Sequence, residues 1–162
     1  MDWRDGDAMS VQILVDGDAC PVKDEIYMVA LRHQVPVSVV SNSYFRIPEH
    51  PLISRKIVSD GFDAADDWIA EQASAASIVV TADIPLADRC LKAGARVLGP
   101  SGKPFTDDSI GTALATRSIM ADRRVGVAGI GAGGPAPFSK ADRSRFLSAL
   151  DAAIVAAKRA AG

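Results

Sequence analysis

The chain is poor in the residues that build disulfide frameworks and zinc sites. Its 162 residues include two cysteines, Cys20 and Cys90, and two histidines, His33 and His50. No C-x-x-C spacing joins the cysteines and no His-x-x-x-His pair is present, so a zinc centre is not expected. Free thiols in a reducing compartment are the simplest reading, and a cytoplasmic location follows as an expectation. No run reaches the roughly 18 uninterrupted apolar residues of a membrane span, so no membrane partner is expected. Residues 1–10 are polar and acidic and lack the apolar core of a signal peptide. They read as a loose N-terminal extension, with Met9 a candidate natural start just before the first strand. A surplus of one charge is missing too. The net charge is -2 and the isoelectric point about 5.6, which excludes a protein that coats nucleic acid by bulk charge. A nucleic-acid enzyme is compatible with that balance, because a local basic stripe beside a metal site suffices.

What is present is a good core former. The composition is 48% hydrophobic and 23% charged, enough for one domain without staples. Val11-Gln12-Ile13-Leu14-Val15 is a short β-branched apolar run ending in Asp16-Gly17-Asp18, which predicts a buried strand feeding a tight turn. Pro21 opens a helix that runs to about Gln34. Val37 to Val40 is a second strand, closed by Ser41-Asn42-Ser43. Residues 44–51 are irregular, with Pro48 and Pro51 blocking a helix, and 53–58 are a short strand or an extended piece. A helix is expected over 63–73, a strand over 77–81, a helix from Pro85 to a stop at Gly94, and a strand over 96–98. Residues 107–123 read as helix. Five glycines and two prolines make 126–137 a flexible loop, and Ser139 caps a last helix through Phe146, Leu150 and Ile154. The domain therefore spans 11–125, followed by the loop 126–137 and a helix in 138–162 packed on the same domain. Alternation of this kind predicts a parallel α/β sheet with helices on both faces, and in such sheets ligands sit beyond the carboxyl ends of the strands.

Acidic residues gather at those ends. Asp16 and Asp18 follow the first strand and Asp83 follows the 77–81 strand. Asp88 stands one turn into the next helix, and Asp63, Asp66 and Asp67 stand at the start of the middle helix. Converging carboxylates raise one another's pKa, and a hard cation such as Mg²⁺ or Mn²⁺ resolves the conflict. Asp16, Asp18, Asp66, Asp67, Asp83 and Asp88 are the candidate metal ligands, and Asp16, Asp18 and Asp83 the candidate catalytic residues. Each has a plainer reading. An Asp after a strand is often a turn residue or a cap. Asp63 reads best as a cap, and Asp67 as a first-turn residue favoured by the helix dipole.

Asn42, Ser43 and Arg46 follow the second strand and are candidates to hold a phosphate. Lys23, in the first turn of the first helix, is a candidate substrate contact whose plainer reading is a surface lysine. Arg55 and Lys56 read as a solvated pair able to steer a backbone phosphate. Thr81 either orients a water or ends a strand. Cys20 reads as a packed small side chain rather than a nucleophile, and Trp68 and Phe62 as core. Gly131-Ala132-Gly133-Gly134 lacks the ending of a P-loop and follows no strand.

The segment Val15-Asp16-Gly17-Asp18-Ala19-Cys20-Pro21-Val22-Lys23 resembles the opening signature of the YaiI/YqxD family of bacterial proteins. The resemblance continues through Ser41-Asn42-Ser43, 63–69 and 81–87, and ends with 137–146. It covers nearly all of the chain after residue 10. The family has no settled activity. It is similar to the wider PIN-like group, often metal-dependent ribonucleases. That analogy implies a three-layer Rossmann-like (PIN-like) sheet and places Asp16, Asp66 or Asp67, and Asp83 at ligand positions, with Asp88 as a fourth. PIN nucleases usually present a Glu on the middle helix, where this chain has the shorter Asp66 and Asp67.

Three functions compete. The first is a Mg²⁺- or Mn²⁺-dependent nuclease whose expected partner is RNA. The second treats Asp16-Gly17-Asp18 as the Asp-x-Asp motif of haloacid-dehalogenase-type phosphatases, with Asp16 as nucleophile. Cys20 stands there in place of the usual Thr or Val, and no convincing catalytic Lys follows. The third is a metal-stabilised module that binds RNA or a protein without turnover. Nothing in the sequence specifies an oligomeric state.

Overall fold

Short β-branched runs supply the strands. In the computed structural model, which describes residues 11–58, 64–112 and 138–161, β1 (Gln12–Asp16), β2 (Val37–Ser41), β3 (Ile53–Ile57), β4 (Ser77–Val80) and β5 (Arg96–Leu98) form one sheet. All pairings are parallel, in the order β3-β2-β1-β4-β5. β1 is thus central. Ile13, Leu14 and Val15 are fully buried, each removing apolar surface worth roughly 1.5–3 kcal/mol. The uncertain piece after residue 52 is an edge strand. Of its five residues only Ile53 is buried.

The period-two alternation of side chains divides the core into two layers. Ile13, Val15, Val37, Val39, Ile78 and Val80 face α1 (Lys23–His33) and a long C-terminal helix. Leu14, Val40 and Val79 face α2 (Ala64–Gln72) and α3 (Ile84–Lys92), together with Ile110 from the helical stretch 107–112. The fold is therefore the three-layer, Rossmann-like α/β arrangement. α1 begins at Lys23, two residues after Pro21, with Pro21 and Val22 forming a turn ahead of it. It ends at Gln34 in the left-handed conformation (φ 58°). Gly94, at φ 94°, follows the end of α3.

The C-terminal helix, α4 (Lys140–Ala161), starts with a reciprocal cap. Ser139 Oγ accepts from the Asp142 amide at 3.1 Å, and the Ser139 amide donates to Asp142 Oδ2 at 3.0 Å. Phe146, Leu150 and Ile154 recur along one face and are fully buried. Polar links fasten α4 to α1. Arg143 donates to the Pro21 carbonyl at 2.9 Å and to Glu25 at 3.1 Å, and Asp151 lies 2.6 Å from His33 and 3.0 Å from Arg32. Among the described residues no helix is long and apolar enough to cross a membrane. The expected extension 1–10, Phe62, Asp63, most of the 107–123 helix and the loop 126–137 lie outside the described residues.

Candidate active site

The strand order changes direction between β1 and β4, where an open parallel sheet leaves a crevice beyond its carboxyl ends. Two side chains meet there because of the register. Val15 is paired with Val80, so the next residues, Asp16 and Thr81, stand abreast. The alternation points both toward the α2/α3 layer. Thr81 Oγ1 donates to Asp16 Oδ2 at 2.9 Å and accepts from the Asp83 amide at 3.0 Å. Thr81 is buried, 2% exposed. One hydroxyl therefore orients the carboxylate of β1 and the backbone that carries the next acid.

The turn after β1 brings in Asp18. Gly17 passes so close to β2 that a Cβ there would come 2.7 Å from Val39 Cγ1 and 3.0 Å from the Val40 carbonyl oxygen. The tight passage puts Asp18 against the end of β2, where Ser41 Oγ donates to Asp18 Oδ1 in a short contact. The Ser43 amide donates to the same Ser41 hydroxyl at 3.1 Å. Asp83 is the N-cap of α3, its Oδ1 accepting from the Leu86 amide at 2.9 Å. The capping role and a place in the crevice are compatible.

Asp16, Asp18 and Asp83 line one cavity of about 230 Å³ with Cys20, Thr81 and Pro100. Burial pushes the Asp16 carboxyl above its ordinary range. The hydrogen bond from Thr81 opposes that rise, and the charges of Asp18 and Asp83 add to it. Burial also raises the Cys20 thiol, which keeps it protonated near neutrality and argues against a thiolate nucleophile. Cys90, on the buried face of α3, is pushed up to about 11 by burial. Both thiols are free.

The other predicted ligands go elsewhere. Asp67 is exposed and accepts from Arg89 Nη1 at 2.9 Å, linking α2 to α3. The Asp66 charge reaches Arg89 and Cys90 of α3. Asp88 pairs with Lys92 one turn further along at 2.7 Å. None of the three is among the lining residues of the acidic cavity. The predicted substrate contacts also disperse. Asn42 is exposed, and Ser43 reaches the site through its amide rather than its hydroxyl. Arg46 lines a separate cavity beside β3, and the Lys23 ammonium sits 5.5 Å over the Phe45 ring. Trp68 is half-buried at the edge of the core, with Lys56 over its ring. Sequence reasoning overlooked Ser41 as a site residue. A serine ending a strand carries no signal until β2 is known to lie beside β1.

Oxygen donors of this kind suit a hard cation, and the charges of Asp18 and Asp83 add to the rise that burial imposes on Asp16. Among the described residues, no three His, Cys, Asp or Glu side chains approach closely enough to close on one ion.

Comparison with known proteins gives a consistent picture. Residues 14–156 match the family model described as "Uncharacterized BCR, YaiI/YqxD family". A protein named UPF0178 protein from Sphingopyxis alaskensis is 73% identical over 147 residues, covering 91% of this chain and 95% of its own length. One of the same name from Nitrobacter winogradskyi is 59% identical over 151 residues, covering 93% and 95%. Another, from Rhodopseudomonas palustris, is 57% identical over 152 residues with the same coverage. No solved structure matches the chain.

Proposed function

The chain belongs to the YaiI/YqxD family, and we propose that its acidic cavity is the site of a Mg²⁺- or Mn²⁺-dependent nuclease that hydrolyses RNA phosphodiesters. The observation that carries the reading is that Asp16 and Asp18, from the end of β1, and Asp83, from the start of α3, line one cavity at the switch point of the sheet. Asp16 and Asp18 would hold the ion, with Asp83 as the third acid facing it. When bound, such an ion lowers the pKa of a water and neutralises charge on a phosphate oxygen.

The chain's own residues supply the rest. Thr81 keeps Asp16 oriented and partly offsets the cost of burying it. Ser41 holds one oxygen of Asp18. Asp83, anchored at Oδ1 by the α3 amide, can accept a proton from an attacking water at its other oxygen. The test is cleavage of labelled RNA with Mg²⁺, with Mn²⁺ and with EDTA, for the natural chain and for Asp16→Asn. Metal-dependent cleavage lost in Asp16→Asn supports the reading, whereas cleavage at the natural rate by Asp16→Asn overturns it.

One observation favours a second reading. The three acids do not close on a single ion among the described residues, which suits a site that binds RNA or a protein without turnover. Tight RNA binding with no cleavage in either metal would select it.

A further inference from the structure

The acidic cavity accounts for one end of the sheet and leaves its β3 edge unexplained. That edge carries cations held over aromatic rings rather than against acids. The Arg55 guanidinium stacks 4.4 Å from the centroid of the Tyr44 ring, and its Nη1 donates to the Phe45 carbonyl at 2.9 Å. Tyr44 nevertheless stays 69% exposed, so Arg55 fixes the ring while most of its surface faces solvent. Beside the pair lies a polar cavity of about 710 Å³ lined by Tyr44, Arg46, Glu49, His50 and Arg55. Among the described residues no ion pair neutralises Arg46 or Arg55. In a chain of net charge -2, two unpaired guanidiniums against one carboxylate, Glu49, make a local positive site.

We propose that this edge binds single-stranded nucleic acid, with one unpaired base stacked on the open face of Tyr44 and the adjoining phosphates on Arg46 and Arg55. The chemistry fits. A base offers a π-face to an exposed ring, and stacking with neighbouring cations is how sequence-tolerant single-strand sites work. A duplex keeps its bases stacked on one another and has none to offer. The place fits as well. Ser41, which holds Asp18, lies three residues before Tyr44, so their Cα atoms are at most about 11 Å apart. The inference rests on the nuclease reading for its purpose, but binding at this edge does not require cleavage.

The register supplies an internal comparison. Arg55 pairs with Val39 and Lys56 with Val40, so the two neighbouring cations stand on opposite faces of the sheet. Lys56 lies over Trp68, 5.8 Å from its centroid, away from the Tyr44 cavity.

The experiment is fluorescence anisotropy of labelled oligouridine and oligothymidine, and of a duplex of equal length, with EDTA present. The full chain is expected to bind both single strands more tightly than the duplex. Tyr44→Ala should weaken binding about tenfold without changing its salt dependence, and Tyr44→Phe should retain it. Arg46→Ala and Arg55→Ala should each weaken binding and lower the logarithmic salt slope by about 0.7, while Lys56→Ala should bind like the natural chain. Absence of binding, equal binding of the duplex, an unaffected Tyr44→Ala, a loss in Lys56→Ala equal to that in Arg55→Ala, or equal competition by an oligoglutamate peptide would each overturn the proposal. Its fate separates from that of the nuclease. Unchanged binding by Tyr44→Ala, with cleavage still lost in Asp16→Asn, strikes down only the edge site. Binding as expected with no cleavage in any metal strikes down only the nuclease.

Discussion

Thr81 donates its hydroxyl to Asp16 at 2.9 Å although 65 residues separate them in the chain. The contact exists because β4 pairs with β1 in the register Val15 to Val80. It joins the two strands at the point where the sheet opens, and the same hydroxyl accepts from the Asp83 amide.

Thr81 is therefore expected to act as a positioning residue. Thr81→Val keeps the shape and removes both bonds, leaving a half-buried carboxylate without its donor, at a cost of about 1–3 kcal/mol. Because the Thr81 bond lowers the Asp16 pKa, its loss should move the acid limb of the pH–rate profile to higher pH. Thr81→Ser should restore the profile. A merely structural role would lower Tm and leave that limb in place.

The raised pKa of Asp16 has a consequence for stability. The unfolded carboxyl titrates near 3.8 and the folded one higher. Between the two values the folded state holds more protons, so stability falls as pH rises through that window and stays reduced above it. Asp16→Asn removes the charge, and in EDTA it should be more stable than the natural chain at neutral pH. The two should converge below the unfolded value. Urea denaturation across that pH range measures the difference, and an Asp16→Asn chain less stable at neutrality would contradict the cause assigned to the shift.

Gly17 is expected to be intolerant of any side chain. Ala at this position drives a methyl into Val39 and the Val40 carbonyl, and overpacking of this kind costs about 1–3 kcal/mol. Because the strain falls on the turn that carries Asp18, Gly17→Ala should reduce metal-dependent activity as well as Tm. Guanidinium denaturation with an activity assay tests both.

Ser139→Ala removes one half of the cap that starts α4 and should cost about 1 kcal/mol. The Asp142 carboxyl is held below its ordinary range, first by the Ser139 amide and hydroxyl and then by Arg145. Its contribution is therefore present above the unfolded value and lost as pH falls through the folded one. Amide hydrogen exchange in the first turn of α4 should quicken in Ser139→Ala and, for the natural chain, on acidification.

Local patterns carried much of this in advance. The β-branched runs at 11–15, 37–40 and 77–81, with Pro21 and Pro85 near helix starts, spell out alternating strands and helices, because short-range sterics and burial decide them. A strand end followed by Asp16-Gly17-Asp18, or by Asp83 before Pro85, can be read the same way. The edge strand β3 was less legible, since Ser54, Arg55, Lys56 and Ile57 are exposed and show no buried face.

Which acids share a cavity was decided by tertiary structure alone. In sequence, Asp67 and Asp88 are as well placed as Asp83, each near the start of a helix after a strand. The packing of α2 on α3 turns Asp67 to Arg89, and the helical repeat turns Asp88 to Lys92. Pairing of β1 with both β2 and β4 brings Ser41 to Asp18 and Thr81 to Asp16. The chain's local chemistry determined its elements and the kind of residue at their ends. Strand order and register, set by long-range hydrogen bonding and by burial of both sheet faces, determined which of those residues meet.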